Sequence, residues 1–485
     1  MIFSSIAAFA AMLAAPAETA VTIPAASEMP IVFEASDGSS VPALRGSLQV
    51  LERRGDPDSR QITLHYVRFP ATTAEPGAPI VYLAGGPGGS GIGTAKGERF
   101  SLFMALREFG DVIAFDQRGT GEASDLPDCT SNIVEPGDRV LSDTERTGLY
   151  RAAARECAAF WEGNGIDLKG YSTLESAADL DDLRSHLGAE KISLWGISYG
   201  THLALAAMKT MPERLDRVIL ASAEGLAQTV KLPARTDAYF MRLQKAIDKQ
   251  PAARAMFPDI RSLMDQVHRQ LDAEPISLSV IDKDGKEQSV LITRATMQGI
   301  AAGMIADPAS AAILLHMYRE IAAGGTGMLH MVIPRYFMPG GPIRLSAMPT
   351  AMDVASGISE ERLTLVTRQG RTALLGLALN FPMPQIRDEL SELDLGDGFR
   401  EEARSDVPTL LLTGTLDGRT YPDAQLEAVA GLSNLSRVTI ENAGHNLFTV
   451  SPEVLAAINA FFRGTEVPDT IIAPLPDFTS PIPEG

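Results

Sequence analysis

The chain is predicted to be an α/β protein, with a mostly parallel sheet and a large helical segment inserted between its core strands. Three observations point there. Residues 191–195 form a short apolar strand that turns through Gly196-Ile197-Ser198-Tyr199-Gly200 into a helix-forming run at 201–211. From 76 to 225, apolar strand-like runs alternate with helical stretches, which is the pattern of parallel strands joined by right-handed crossovers. Residues 226–404 then read as mostly helical before strands resume near Val407.

Taken in order, residues 1–20 are an apolar, alanine-rich run ending in small-residue cleavage sites, although no Lys or Arg precedes the apolar stretch. This reads as a secretory signal peptide, and it implies a periplasmic or secreted protein with no stable membrane insertion once the signal is removed. The first part of the core is placed at 21–225. Its opening stretch, from about 30 to 75, alternates in the manner of antiparallel strands that border the sheet. The helical segment at 226–404 is expected to lie on the carboxyl side of the sheet as a cap. The core resumes at 405–465, and 466–485 reads as a proline-rich extended tail. Cys129 and Cys157 are the two cysteines of the chain. In an exported protein such a pair forms one disulfide, worth roughly 3.5 kcal/mol by loop entropy; two buried thiols are the alternative.

The turn at 196–200 makes Ser198 a candidate nucleophile, because glycines on either side relieve crowding where a strand bends sharply into a helix. A serine hydroxyl needs a base, and that base an orienting carboxylate. Of seven histidines, His65 falls in an N-terminal strand, and His268, His316 and His330 fall in the helical middle region. His186 belongs to a solvated helix face, and His202 rides on the helix after the turn, where packing or capping suits it better. His445 follows a strand in a small-residue loop, where it can swing over the sheet's carboxyl edge. Asp417 leaves the strand at 409–414. The order Ser198, Asp417, His445 is that of the α/β-hydrolases. The glycine-rich run at 85–91 also follows a strand, and it supplies backbone N–H groups for a developing negative charge: those of Gly86 and Tyr199 are assigned to an oxyanion hole. No phosphate-loop pattern opens a helix there. Asp116 and Arg118 are expected to brace the glycine loop through an internal ion pair or turn hydrogen bonds.

With 485 residues, 45% of them hydrophobic, the chain has ample material for a buried core. Its formal charge of −19 argues against a nucleic-acid partner, since an acidic surface repels polyphosphate.

Together, GGPGGSG at 85–91, DQRGTG at 116–121, GISYG at 196–200, DGRTYP at 417–422 and AGH at 443–445 resemble the proline iminopeptidase and tripeptidyl aminopeptidase family of serine α/β-hydrolases. The resemblance implies an exopeptidase that acts on peptides with a free N-terminus and needs no metal or organic cofactor. It assigns Ser198 as nucleophile, Asp417 as orienting acid, His445 as base, and Gly86 with Tyr199 as oxyanion donors. Ala84 stands where short iminopeptidases carry a histidine, and this chain is longer than they are; both features resemble the secreted tripeptidyl branch. Glu122-Ala123-Ser124 also departs from the family pattern, which bears on the shape of that loop alone. An esterase or amide hydrolase for small hydrophobic substrates is the alternative, because the same three residues serve both and the cap decides. A non-catalytic binding protein is disfavoured by an intact serine, acid and base. An exopeptidase must also hold a free ammonium group, for which Glu224 and Asp353 are the candidate carboxylates. Thr420 is expected to stabilise the Asp417 loop.

Overall fold

A computed structural model describes residues 28–124, 126–281, 285–336 and 338–480. The expected signal peptide at 1–20 lies outside the described residues. The strands are β1 (Met29–Glu34), β2 (Ser40–Leu51), β3 (Gln61–Phe69), β4 (Ile80–Leu83), β5 (Val112–Asp116), β6 (Cys129–Glu135), β7 (Ile192–Ile197), β8 (Leu215–Ala221), β9 (Ile276–Ile281), β10 (Glu287–Ile292), β11 (Gly341–Leu345), β12 (Thr409–Gly414), β13 (Leu435–Glu441) and β14 (Thr470–Ile472). Ten of them form one sheet in the order β1-β2-β3-β5-β4-β7-β8-β12-β13-β14. β1, β2, β3 and β5 pair antiparallel, as the alternation at 30–75 predicts. From β5 across to β14 every pairing is parallel.

The central strands read as unbroken apolar runs because helices cover both faces of the sheet. Successive residues serve opposite cores, as the two-residue strand period requires. Val81, Leu194, Val218 and Leu411 pack beneath the helix Tyr199–Thr210. Ile80, Trp195, Ile219 and Leu410 face the helix Pro452–Arg463 on the other side. All eight are buried.

Between β8 and β12 the chain builds an apolar core of its own, which includes Phe240, Leu271, Ile300 and Leu315. This segment is less uniformly helical than its composition suggests. It contains the β9–β10 hairpin, and β11 crosses back to pair antiparallel with β6. The 226–404 segment therefore does not pack alone. Residues from β6 and the helix Asp143–Gly163, placed with the core from sequence, share a cluster with Leu345, Ala351, Val354 and Met383. Within that cluster Cys129 and Cys157 are joined in a disulfide, with their Cα atoms 5.6 Å apart.

The stretch expected as a tail is corrected in part. β14 extends the sheet beside β13, and Phe478 is buried in the core of the insertion. Apolar residues at 471, 472 and 478 explain this, since an extended chain rich in proline still pairs at a sheet edge where its N–H groups are free. Among the described residues no helix is long and apolar enough to cross a membrane.

Candidate active site

Three strand ends converge at the carboxyl edge of the sheet. Ser198 follows β7, Asp417 follows β12 and His445 follows β13, with β8 between the first pair and β12 next to β13. Ser198 has φ 55° and ψ −128°, a conformation that non-glycine residues adopt only when their surroundings enforce it. The enforcement is visible. The Ser198 N–H bonds to Ala221 O at 3.1 Å, and the Ser198 carbonyl is taken by the Thr201 N–H at 2.8 Å and Thr201 Oγ1 at 2.6 Å. A Cβ at Gly200 would collide with the Leu83 carbonyl, so β4 and the helix approach this closely only because residue 200 is glycine.

Asp417 is buried and receives donors from several directions. The N–H groups of Arg419 and Thr420 reach Oδ1 at 2.8 and 2.9 Å. Thr420 Oγ1 donates to Oδ2 at 2.7 Å, and Gln425 Nε2 to Oδ2 at 3.3 Å. His445 Nδ1 lies 3.1 Å from Oδ2 and 3.2 Å from Oδ1. Burial by itself would raise the Asp417 pKa, but the imidazole beside it and these donors outweigh burial and hold the carboxyl below its ordinary value. Such a carboxylate fixes the imidazole with Nδ1–H toward the acid and Nε2 free to accept a proton. Gln425 is itself oriented, because Thr413 Oγ1 donates to its Oε1 at 2.9 Å. No motif announces Gln425, which lies five residues past the DGRT motif on a different local element, the helix Pro422–Ala428. Asp423, the other acid near this loop, turns away to Arg235 at 3.0 Å.

The glycine loop is held by Asp116. Its Oδ1 accepts Ser90 Oγ at 2.7 Å and the Ile92 N–H at 3.0 Å, and its Oδ2 accepts the Glu122 N–H at 2.7 Å. Gly86 sits at φ +125°, outside the range of L side chains. Among the described residues, the N–H groups of Gly86 and Tyr199 donate to no protein acceptor. Of the two expectations, the bracing hydrogen bonds are made by Asp116, whereas among the described residues no ion pair joins Asp116 to Arg118. Arg118 is fully buried and grips Asp179, on the helix Thr173–His186, through Nε at 2.7 Å and Nη2 at 2.6 Å. Arg118 lies past the end of β5, where the chain turns and strand alternation no longer holds, so Asp116 serves the loop while Arg118 ties the sheet to a helix.

The helix Ala347–Ser356 lies over this region. A Cβ at Gly88 would stand 3.0 Å from Pro349 Cγ, and Met352 Sδ accepts from Thr173 Oγ1 at 3.3 Å. The same hydroxyl is 3.2 Å from Tyr199 Oη. His202 joins the elbow helix to the end of this one, with Nε2 3.0 Å from Ser356 Oγ; burial lowers its pKa to about 4, so it stays neutral and structural, as its position on the helix predicts.

The two acids proposed for a substrate ammonium are brought together but differ. Glu224 is not an unpaired carboxylate: its Oε2 lies 2.7 Å from Lys231 Nζ, a partner with no motif to announce it. Among the described residues, no hydrogen bond or ion pair reaches the Asp353 carboxylate. Burial, reinforced by the charge of Glu224 and opposed by Lys231, pushes the Asp353 pKa up to about 7.

Comparison with known proteins agrees with this architecture. Residues 78–273 match the family described as alpha/beta hydrolase fold, and residues 397–473 match the family described as TAP-like protein. The serine protease Hip1 of Mycobacterium tuberculosis is 34% identical over 191 residues, covering 37% of this chain and 36% of the relative. A tripeptidyl aminopeptidase of Streptomyces lividans is 29% identical over 174 residues, covering 34% and 32%. A probable proline iminopeptidase of Leptolyngbya boryana is 25% identical over 162 residues, covering 32% and 35%. The matched stretch thus spans about a third of the length of these curated relatives, 36% of the first. The strand order, the elbow at Ser198 and these matches agree on the α/β-hydrolase fold, and over about a third of its length the chain is similar to serine proteases and aminopeptidases of the tripeptidyl aminopeptidase and proline iminopeptidase kind.

Proposed function

We propose that the protein is an exported serine aminopeptidase that releases short N-terminal pieces from peptides through an acyl-enzyme on Ser198. The observation that carries the reading is a donor-rich couple of buried Asp417 with His445 at the sheet edge that carries the Ser198 elbow, together with Asp353, a carboxylate that no hydrogen bond or ion pair reaches among the described residues. In this reading Ser198 Oγ attacks the scissile carbonyl while His445 Nε2 takes its proton, and Asp417 stabilises the resulting imidazolium. The Gly86 and Tyr199 N–H groups receive the oxyanion. Collapse expels the shortened peptide as an amine that takes the proton from His445, and water then releases the acyl group by the same steps in reverse.

Asp353 supplies the counter-charge for the substrate's α-ammonium. Glu224, paired with Lys231, still adds negative potential at Asp353, which Lys231 partly offsets, without competing as an open acceptor. The segment between β8 and β12, with β6 and the helix Asp143–Gly163, forms the cap that limits access to the free ends of peptides. The disulfide between Cys129 and Cys157 suits an oxidising compartment, which supports export.

A matched pair of peptides, one N-acetylated, tests the reading, with a fluorophosphonate used to label the nucleophile. Acetylation is expected to lower kcat/KM by about a hundredfold or more, the order set by losing a charge-assisted contact. The label is expected on Ser198 alone. Equal cleavage of both peptides rejects the aminopeptidase and leaves a hydrolase of neutral esters or amides; a label on another residue rejects the mechanism.

A further inference from the structure

The segment between β8 and β12 reaches the acid and base loops at several points, among them Arg242 Nε to Thr415 O at 3.0 Å and Lys249 Nζ to Asn442 Oδ1 at 3.1 Å, and at one turn it abuts both loops at once. Between the helices Arg294–Met304 and Pro308–Ala322 the chain turns through Ile305, Ala306 and Asp307. Ala306 O accepts the backbone N–H of His445 at 2.9 Å. The Asp307 carboxylate takes two donors from the next residue, the Asn446 N–H at 3.1 Å and Asn446 Nδ2 at 2.7 Å. Arg99 Nη2 holds the other end of that amide, 3.1 Å from Asn446 Oδ1. The approach is close on both loops. A Cβ at Gly444 would stand 2.6 Å from the Asp307 Cα, and one at Gly418 would collide with the Ile305 carbonyl. The turn therefore abuts the residue after the acid and the residues on both sides of the base.

The His445 loop is also anchored before the base, where the Asn442 N–H donates to Thr415 Oγ1 at 2.9 Å and Ala443 O accepts the Leu416 N–H at 2.8 Å, and after it, where Leu447 and Phe448 are buried, but few contacts hold the backbone of His445 itself. It leaves β13 at Glu441 and enters no helix before Pro452. Its other anchor at the base is Ser222 Oγ, which donates to His445 O at 2.8 Å. The backbone of His445 is thus held between Ser222, at the end of β8, and the Ala306–Asp307 turn. A shift of about 1 Å at a reacting group costs on the order of a hundredfold in rate.

We propose that Asp307 is a positioning residue for catalysis, which through Asn446 sets the height of the His445 imidazole between Asp417 and Ser198. The proposal rests on the reading of Ser198, Asp417 and His445 as the catalytic residues, and it is independent of which substrate they serve. It makes the inserted segment part of the catalytic framework as well as a cover. Asp307 acts on the base through the backbone, in contrast to Thr420 and Gln425, which act on the acid through its carboxylate.

The test measures the rate of fluorophosphonate labelling at Ser198 together with kcat and KM on one peptide. Asp307→Ala is expected to lower the labelling rate and kcat by about ten- to a hundredfold, with KM within about twofold. Exchanging the partners, in the double variant Asp307→Asn with Asn446→Asp, retains both an acceptor for the backbone N–H and a side-chain bond of reversed polarity. It is expected to recover most of the rate lost by Asp307→Asn alone, a recovery that loss of general stability does not produce. Wild-type labelling with Asp307→Ala reacting at the same rate overturns the proposal alone. A wild-type protein that takes no label at Ser198 overturns the assignment of the catalytic residues, and this proposal with it. Should Asp307→Ala fail to fold, the exchange pair decides: a double variant no faster than the single Asp307→Asn also overturns the proposal.

Discussion

Asp417 and Asp353 are the same side chain in two regions of the molecule, one beside the strand ends and one on the insertion, and they are held in opposite states. Asp417 sits in a loop of the sheet, where two backbone N–H groups, a hydroxyl, an amide and an imidazole converge on it and keep it ionised in spite of burial. Asp353 sits on a helix of the insertion, where among the described residues no donor meets it, and burial together with the nearby acid Glu224 raises its pKa to about 7. The difference teaches that burial alone does not decide the charge of a carboxylate; the count of donors does. A group that must stay charged through a reaction is satisfied by the protein. In the proposed function, Asp353 is the group left for the ligand's cation to satisfy.

The largest break in this comparison comes from Asp417→Asn. Removing the charge leaves the amide's geometry but loses the imidazolium's partner and the tautomer it enforces, so kcat is expected to fall by roughly a thousand- to ten thousandfold with KM nearly unchanged. Steady-state kinetics on a free-amine peptide checks it, and an unaltered kcat would hand the role to another acid.

Asp353→Asn is expected to act on binding and on one substrate class. It should lower kcat/KM for a free-amine peptide by about a hundredfold and leave a small neutral ester within about twofold. In the wild-type enzyme KM for the peptide should also improve as pH rises toward and through about 7, where Asp353 ionises, and this improvement should vanish in the variant. Parallel losses on peptide and ester would place Asp353 in the fold and not in recognition.

Thr420→Ala removes one of the donors to Asp417 and leaves the others in place. A loss of kcat of about five- to tenfold is expected, without a change in peptide-to-ester ratio. A selective loss on peptides would contradict its place beside the acid.

The smallest effect is on stability, and its sign follows from linkage. Because folding raises the Asp353 pKa from 3.8 to about 7, the folded chain holds a proton across that window that the unfolded chain releases. Stability therefore falls as pH rises from about 4 to 7 and stays lowered above it. Asp353→Asn has no charge to bury, so its Tm should exceed that of the wild type at pH 8 by more than at pH 4. Thermal melts at the two pH values decide, and an equal difference at both removes the unpaired carboxylate as its cause.

The core strands were legible from residues alone because each is a short apolar run ended by glycine or a polar turn, and such runs have one use in a covered parallel sheet. The elbow at 196–200 and the loops that carry Asp417 and His445 were legible for the same reason, since a strand end in this fold is also a site position. The inserted segment was less so. Its helical periodicity concealed the β9–β10 hairpin and the pairing of β11 with β6, because strand pairing depends on a partner two hundred residues away, as Leu345 opposite Cys129 shows.

What the sequence by itself determined is the chemistry and its order along the chain: a serine on a strained turn, an acid and a histidine at later strand ends, and glycines where backbones meet. What only the tertiary structure decided is the pairing of charges. Asp116 and Arg118 lie two residues apart in sequence yet serve different partners, Ser90 and Asp179. Glu224 is paired with Lys231 while Asp353 is left open, and Asp307 is carried to the back of the His445 loop from a turn 138 residues earlier. Local preference fixes which way a strand or turn goes within a few residues. The state of a buried charge depends on every group within a few ångströms, and the fold alone gathers those groups.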